Sequence, residues 1–347
     1  MILQALEFEG FRNLNDGTIS FCDGMNIFTG DNGAGKTNLL EAIFFSAYGT
    51  SFRTNEDKNM IKFDNSYMRV TGISNGIYGS VFYNGTKKFT LNGIEKNRQN
   101  EYVGWLPVVV MSSNDIWMVR GAPAKRRNFI DWLLIKLHPV YGMNLNEYKK
   151  ILRQRNLLLQ QKTIDYVLLE VFNEQFVHWA NLIYDERKKI IPTLKEKIEL
   201  RGKDMALGNL SFEYLSSCPD MKLTINGLKN IASEEFKKSE TTIGPHRDDF
   251  IIKLNGYQAK NFASEGECRL LALLLKLVEA EIIRQIINQE PIYLLDEVLL
   301  ELDRIHQEYF LKMIGGQIFY ATVHCFASID FHNKKKFVLK RGNIALS

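Results

Sequence analysis

Short apolar runs and longer segments of helical spacing alternate along the chain, and their order predicts the architecture. Met25-Asn26-Ile27-Phe28-Thr29 is an apolar run that predicts a strand, and residues 38–48 place Leu39, Leu40, Ile43 and Phe44 on one face of a predicted helix. Residues 2–21 hold shorter strand-like stretches around Phe11-Arg12-Asn13-Leu14. Residues 68–73, 78–83 and 87–91 follow, punctuated by Asn75-Gly76, Asn84-Gly85 and Asn92-Gly93, which predicts a meander of hairpins. Pro107-Val108-Val109-Val110-Met111 has no polar alternation and reads as a strand buried on both faces.

From Ala124 to about Arg201 the texture becomes helical. Phe129, Trp132, Leu133 and Leu137 share one period, and Tyr148, Ile151, Leu152, Leu158 and Leu159 another. Pro139 and Pro192 are expected to break this stretch into an antiparallel helical insertion, and it lacks the sustained heptads of a coiled coil. Strands are expected again at 210–214 and 250–254, then a helix over about 267–289. Two apolar strands follow, 292–295 and 318–321, and Lys334-Lys335-Lys336 reads as a hairpin tip.

Composition narrows the classes. At 347 residues the chain is long enough for two domains or one domain with a sizeable insertion. The net charge of +4, from 44 basic and 40 acidic residues, does not mark a nucleic-acid binder, so any such surface must come from local clustering. Cys22, Cys218, Cys268 and Cys325 are far apart and form no C-x-x-C pair, which argues for reduced thiols rather than a disulfide frame or zinc site. No basic leader precedes an apolar stretch and no run reaches membrane-spanning length, so a cytoplasmic location without membrane association is expected.

Candidate chemistry falls between the predicted strand 25–29 and its helix. Gly30-Asp31-Asn32-Gly33-Ala34-Gly35-Lys36-Thr37 fits G-x-x-x-x-G-K-[ST], the phosphate loop of proteins that bind nucleoside triphosphates. Its glycines let successive N–H groups face phosphate oxygens, and the following helix adds the positive end of its dipole. Lys36 is expected on the β- and γ-phosphates and the Thr37 hydroxyl on Mg²⁺. Ile292-Tyr293-Leu294-Leu295 ends in Asp296-Glu297, a strand end where the first acid would order Mg²⁺ and the second polarise water. Lys36 and Asp296 are 260 positions apart, so the site closes only when the two ends of the chain fold around an inserted middle.

With these motifs the chain resembles the RecF family of bacterial recombination-mediator ATPases from end to end. The likeness runs through Phe11-Arg12-Asn13-Leu14, the phosphate loop continued by Asn38-Leu39-Leu40-Glu41-Ala42-Ile43, and Ser51-Phe52-Arg53-Thr54. It goes on through Ser112-Ser113-Asn114-Asp115-Ile116, the run from Gly121 to Asp131, and Tyr148 with Leu152-Arg153-Gln154-Arg155-Asn156. Gly244-Pro245-His246-Arg247-Asp248-Asp249 and residues 259–264 complete it. The resemblance implies an α/β, ABC-type ATPase head with mixed sheets, lobe I, and an inserted, mainly helical lobe II. The expected boundaries are 1–112 for the first half of lobe I, 113–240 for lobe II and 241–347 for the return to lobe I.

The resemblance also implies dimerisation with ATP, slow hydrolysis, binding to gapped DNA without sequence preference, and work with RecR and RecO in loading RecA. A membrane-transporter ATPase is disfavoured by the middle blocks. Within such a head Lys36, Asp296 and Glu297 are the expected catalytic residues; Asn38 and Arg12 join the loop in contacting nucleotide, and Arg53 approaches phosphate or adenine unless it is a sheet-edge residue. Ser264 and Gly266 are expected to cap the γ-phosphate of a second copy, with Asp303 contacting across the interface. Family members usually carry glutamines where this chain has Glu265, Glu267 and Cys268, and serine where it has Leu300. These departures predict weakened dimerisation or turnover, and a scaffold using ATP as a clamp is the alternative reading.

His324 could sense the γ-phosphate or be incidental, and His246 could touch nucleotide or partner or be a loop histidine. Two basic clusters, Arg120 with Lys125, Arg126 and Arg127, and Lys149 with Lys150, Arg153 and Arg155, are candidates for DNA backbone contact. Nothing resembles a sequence-specific reader.

Overall fold

The structure is a computed structural model that describes residues 1–323 and 333–347; the expectations for His324 and Cys325 lie outside the described residues. Along the chain the strands β1 (Ala5–Glu9), β2 (Gly17–Ser20) and β3 (Met25–Thr29) lead into helix α1 (Lys36–Tyr48). Strands β4 (Met68–Ser74), β5 (Ile77–Tyr83), β6 (Lys87–Leu91) and β7 (Ile94–Lys96), a turn of helix α2 (Gln99–Tyr102) and β8 (Val108–Ser112) follow. Then come α3 (Trp117–Arg120), α4 (Pro123–Leu137), α5 (Pro139–Leu159), α6 (Tyr166–Asp204), β9 (Leu210–Leu215) and α7 (Ile225–Lys238). The last third holds β10 (Asp249–Leu254), β11 (Tyr257–Gln258), α8 (Ala259–Phe262), α9 (Glu265–Ile287), β12 (Ile292–Asp296), α10 (Arg304–Met313), β13 (Ile318–Thr322), β14 (Lys334–Lys340) and β15 (Asn343–Leu346).

Two compact units form, one from Met1–Asp115 with Leu275–Ser347 and one from Ile116–Leu274. The first has two sheets. One is the antiparallel meander, in the order β2-β1-β4-β5-β6-β7. Its β4–β5 and β6–β7 turns place Asn75, Gly76, Asn92 and Gly93 all at positive φ, as the Asn-Gly pairs predict for tight hairpins.

The other sheet runs β15-β14-β3-β13-β12-β8, with every neighbouring pair parallel except the edge hairpin β14–β15. An aromatic cluster glues its middle, with the Phe21 ring 4.8 Å from Phe319 and Phe28 5.5 Å from Phe337. Here Lys334-Lys335-Lys336 is not a hairpin tip. It opens β14, paired with residues 25–27 of β3, because Phe337 belongs in that cluster and the Lys335 ammonium sits over the Phe337 ring, 5.4 Å from its centroid.

In the second unit α5 and α6 form the expected antiparallel hairpin, since Tyr141 meets Arg187, Tyr148 stacks on Phe176, and Leu159 lies in one cluster with Leu169. Pro192 does not break it: α6 runs through that residue for 39 positions, with Ile190, Leu194 and Ile198 buried on one face. Tertiary burial of that stripe outweighs the lost backbone hydrogen bond.

The return to the first unit comes near residue 275 rather than 241. The reason is pairing: β10 lies antiparallel to β9, and fully buried Asp248 accepts bonds from Tyr184, Tyr214, the Ser217 amide and Arg187. No helix among the described residues is long and apolar enough to cross a membrane.

Candidate nucleotide site

The loop Gly30 to Thr37 leaves the carboxyl end of β3 and enters α1 through three glycines at positive φ, Gly30 at 151°, Gly33 at 79° and Gly35 at 112°. A Cβ on Gly30 would sit 2.3 Å from the Leu339 carbonyl oxygen, so the close approach of β14 excludes a side chain there. The loop curls round Lys36, whose ammonium donates to the carbonyls of Gly30 at 2.8 Å and Asp31 at 3.1 Å. Gly35 caps α1 with no side-chain partner and the first turn carries no acid, so the helix presents unsatisfied N–H groups and an uncompensated dipole. Such an end is suited to phosphate.

Braces hold the loop from outside. Asn13 donates to the Gly33 carbonyl at 3.0 Å, Asn38 donates to Asn13 at 2.7 Å, and the Gly342 amide donates to the Ala34 carbonyl at 3.1 Å. Asn13 appears in the sequence only as part of the run Phe11 to Leu14, and Gly342 was not singled out, since a glycine in a turn gives no local signal of a partner over 300 positions away.

Strand order brings the second motif alongside. Between β3 and β12 lies only β13, so Asp296 emerges beside the loop, and the Thr37 hydroxyl reaches its two carboxylate oxygens at 3.0 and 3.1 Å. Burial pushes the Asp296 pKa up from 3.8; the Thr37 bond opposes that shift and the neighbouring Glu297 charge adds to it. A cation between the two oxygens and a triphosphate would relieve the buried charge. Thr37 and Asp296 are hard oxygen donors of the kind Mg²⁺ takes alongside phosphate, so the residues fit that ion. Glu297, at a positive φ of 59°, projects its half-exposed carboxylate to 4.0 Å from the Lys36 ammonium.

Arg12 and Arg53 converge on Glu41, a fully buried carboxylate of α1. Arg12 grips it through two bonds of 2.9 and 2.7 Å, while Arg53 reaches it at 3.2 Å and Asn38 at 2.7 Å. Arg12 therefore stands beside the loop as half of a bidentate pair, with its remaining nitrogen on the Asn59 carbonyl. Glu41 escaped the sequence reading, although a carboxylate inside the apolar run Leu39 to Phe45 was the signal for it.

Ser264 and Gly266 belong to the second unit. Ser264 caps α9 in a capping box, its hydroxyl donating to Glu267 at 2.7 Å and accepting from the Glu267 amide at 3.2 Å. That hydrogen bonding lowers the Glu267 pKa. Glu265 pairs with Arg269 at 2.7 Å. A Cβ on Gly266 would meet nothing. Cys268 is fully buried, with the Arg120 Nε 3.3 Å from its sulfur. Asp303 caps α10, accepting from the His306 amide at 2.9 Å and facing its ring at 2.8 Å.

The basic clusters divide by exposure. Arg126 is buried in a bidentate pair with Asp249 at 2.6 and 2.9 Å, Arg127 donates to the Asp248 carbonyl, and Arg120 to the Ala263 carbonyl. Arg155 is buried against Glu235, Thr241 and Asn173. Arg126 and Arg155 are thus corrected from DNA candidates to internal ion pairs, while Lys125, Lys149, Lys150 and Arg153 remain exposed. His246 is a loop histidine, 2.6 Å from the Tyr148 hydroxyl, and burial lowers its pKa to about 4.

A parallel sheet with a glycine-rich loop after one strand, an acidic end two strands away and a long insertion between them defines an ABC-type ATPase head of the SMC class. The chain matches the family described as RecF/RecN/SMC N terminal domain over residues 2–328. It is 34% identical to the DNA replication and repair protein RecF of Clostridium acetobutylicum over 99% of both chains, and 34% identical to that of Shouchella clausii over 92% of this chain and 91% of that one. A solved structure of the recombination mediator protein RecF-ATP in the RecFOR pathway superposes with a TM-score of 0.90 at 29% identity, covering 100% of this chain and 97% of that one. The Smc head domain of Pyrococcus furiosus, at 16% identity and a TM-score of 0.56, shares the fold. The chain belongs to the RecF family of DNA replication and repair proteins.

Proposed function

We propose that this protein binds ATP in the collar around Lys36, dimerises with ATP on gapped DNA in the cytoplasm, and helps load a RecA-type recombinase together with RecR and RecO. The observation that carries this reading is the Thr37 hydroxyl within 3.0 and 3.1 Å of the Asp296 carboxylate beside Lys36. Lys36 and the amides of Gly30 to Asn38 bind the phosphates, and Thr37 with Asp296 holds Mg²⁺. When bound, Mg²⁺ neutralises phosphate charge as it builds. Glu297 orients a water and accepts its proton. Arg12, held by Glu41, lines the site. Ser264 and Gly266 of a second copy cap the γ-phosphate, and Asp303 contacts across that interface. Exposed Lys125, Lys149 and Arg153 meet DNA phosphates.

The second reading, a scaffold that uses ATP as a clamp with little turnover, is favoured by the capping box that already engages Ser264. Multiple-turnover phosphate release on gapped DNA separates the two. Under the enzyme reading Glu297→Gln lowers the rate about a hundredfold or more, the scale of removing a general base; equal, slow release by wild type and variant leaves the clamp.

A further inference from the structure

The Ser264 hydroxyl is already engaged within its own chain. One Glu267 carboxylate oxygen accepts both the Ser264 hydroxyl proton at 2.7 Å and the Ser264 amide at 2.8 Å, and the Glu267 amide donates back to the hydroxyl oxygen at 3.2 Å. A serine hydroxyl carries one proton. A γ-phosphate oxygen only accepts, so it needs that same proton. Glu267 holds it in a charge-assisted bond, the stronger kind.

Charge works in the same direction. Glu267 places a negative charge within one helical turn of Ser264, where a triphosphate of another copy would arrive. Arg269 pairs with Glu265, four positions away, whereas residues two apart on a helix do not face each other. Arg269 thus offsets Glu265, and among the described residues Glu267 has no cationic side chain paired with it.

We propose that Glu267 is a positioning residue that latches Ser264, withholding its hydroxyl from the γ-phosphate of a nucleotide on a second copy of this chain, so that ATP-driven closure is weak until the latch opens. This rests on the reading above that Ser264 caps a nucleotide in trans. Glutamine at the same position keeps the capping box, because its amide oxygen accepts the same bonds, but it carries no charge. Helix α9 stays capped in Glu267→Gln while the hold on the proton weakens and the repulsion disappears.

The expected gain is about tenfold per site, the scale of one unit-charge contact in water plus the loss of charge assistance. A two-fold dimer closes two such sites, so the dimer constant should improve about a hundredfold.

Sedimentation velocity of the full chain tests this with Mg²⁺ and ATP, and ADP as the control. Wild type, Glu267→Gln, Ser264→Ala and the double variant are compared, with thermal melts checking that all are folded. The latch predicts that Glu267→Gln dimerises with ATP at about hundredfold lower protein concentration than wild type, and that the double variant loses the gain. A merely structural cap would lower the melts of the Ser264→Ala variants and leave the ATP dependence of every variant unchanged. If Ser264→Ala weakens dimers while Glu267→Gln matches wild type, the latch is overturned and the trans site stands. If no variant dimerises with ATP, the latch and the trans reading fall together.

Discussion

At the scale of single residues, Asp296 shows how a binding site costs the free protein. Its carboxylate is desolvated and sits beside Glu297, so its folded pKa lies above the ordinary 3.8. A carboxyl whose folded pKa is raised contributes stability that is complete below the unfolded value and lost as pH rises through the folded one. Without nucleotide, the protein should lose that contribution above about pH 4. Asp296→Asn removes the charge and keeps an acceptor for Thr37, so the nucleotide-free variant should melt on the order of 2 °C higher at neutral pH while losing its Mg²⁺-dependent affinity for ATP. Paired calorimetric melts with and without Mg²⁺ and ATP measure both effects; a lower melting point for the free variant would contradict the argument. Asp296 was legible in sequence because an apolar strand ending in acids is a local pattern. Glu41 stood out only as a carboxylate within an apolar run, and its partners did not, because the two arginines arrive from different loops.

At the scale of elements, α5 separates what the sequence could and could not tell. Spacing alone put Lys149 and Arg153 on one face and left Arg155 in the same basic stripe. Packing divides them, since Arg155 turns inward to a carboxylate buried on α7, and no period in the sequence announces a partner 80 positions away. The two faces should respond oppositely to mutation. Lys149→Glu with Arg153→Glu should weaken DNA binding and flatten its salt dependence by about two units of log–log slope, roughly 0.9 per lost phosphate contact, with the melt unchanged. Arg155→Ala should cost about 3–5 kcal/mol of stability, because it strands Glu235 without its partner. Fluorescence anisotropy across a salt series, together with chemical denaturation, checks both; a stable Arg155→Ala with weakened DNA binding would reverse the assignment. Helix α6 makes the complementary point: Pro192 predicted a break, and a buried stripe across four turns overrode it.

At the scale of the whole molecule, the nucleotide site is assembled from the two ends of the chain, and the sheet order explains why neither end can make it alone. In β15-β14-β3-β13-β12-β8, the loop-bearing β3 and the strand β8 come from the first 115 residues, while β12 and β13 between them come from the last 73. A chain ending at Asp115 would leave β3 and β8 as unpaired hydrophobic edges. Residues 116–274, by contrast, enter and leave the first unit once each. Lys276, buried in an ion pair with Glu279, also feels the Asp115 charge, so the exit and re-entry points are close. That is the geometry of an inserted domain, which can be replaced by a linker without cutting the host core. A chain joining Asp115 to Leu275 through a short glycine-serine linker should therefore fold and bind ATP as a monomer, with Lys36→Met abolishing binding. Lacking Ser264 and Gly266, it should not dimerise at any ATP concentration. Titration calorimetry and sedimentation on this minimal head decide the matter: ATP-driven dimers would place the closing contact inside the first unit, and loss of ATP binding in a well-folded head would mean the loop and Asp296 do not suffice to hold the nucleotide.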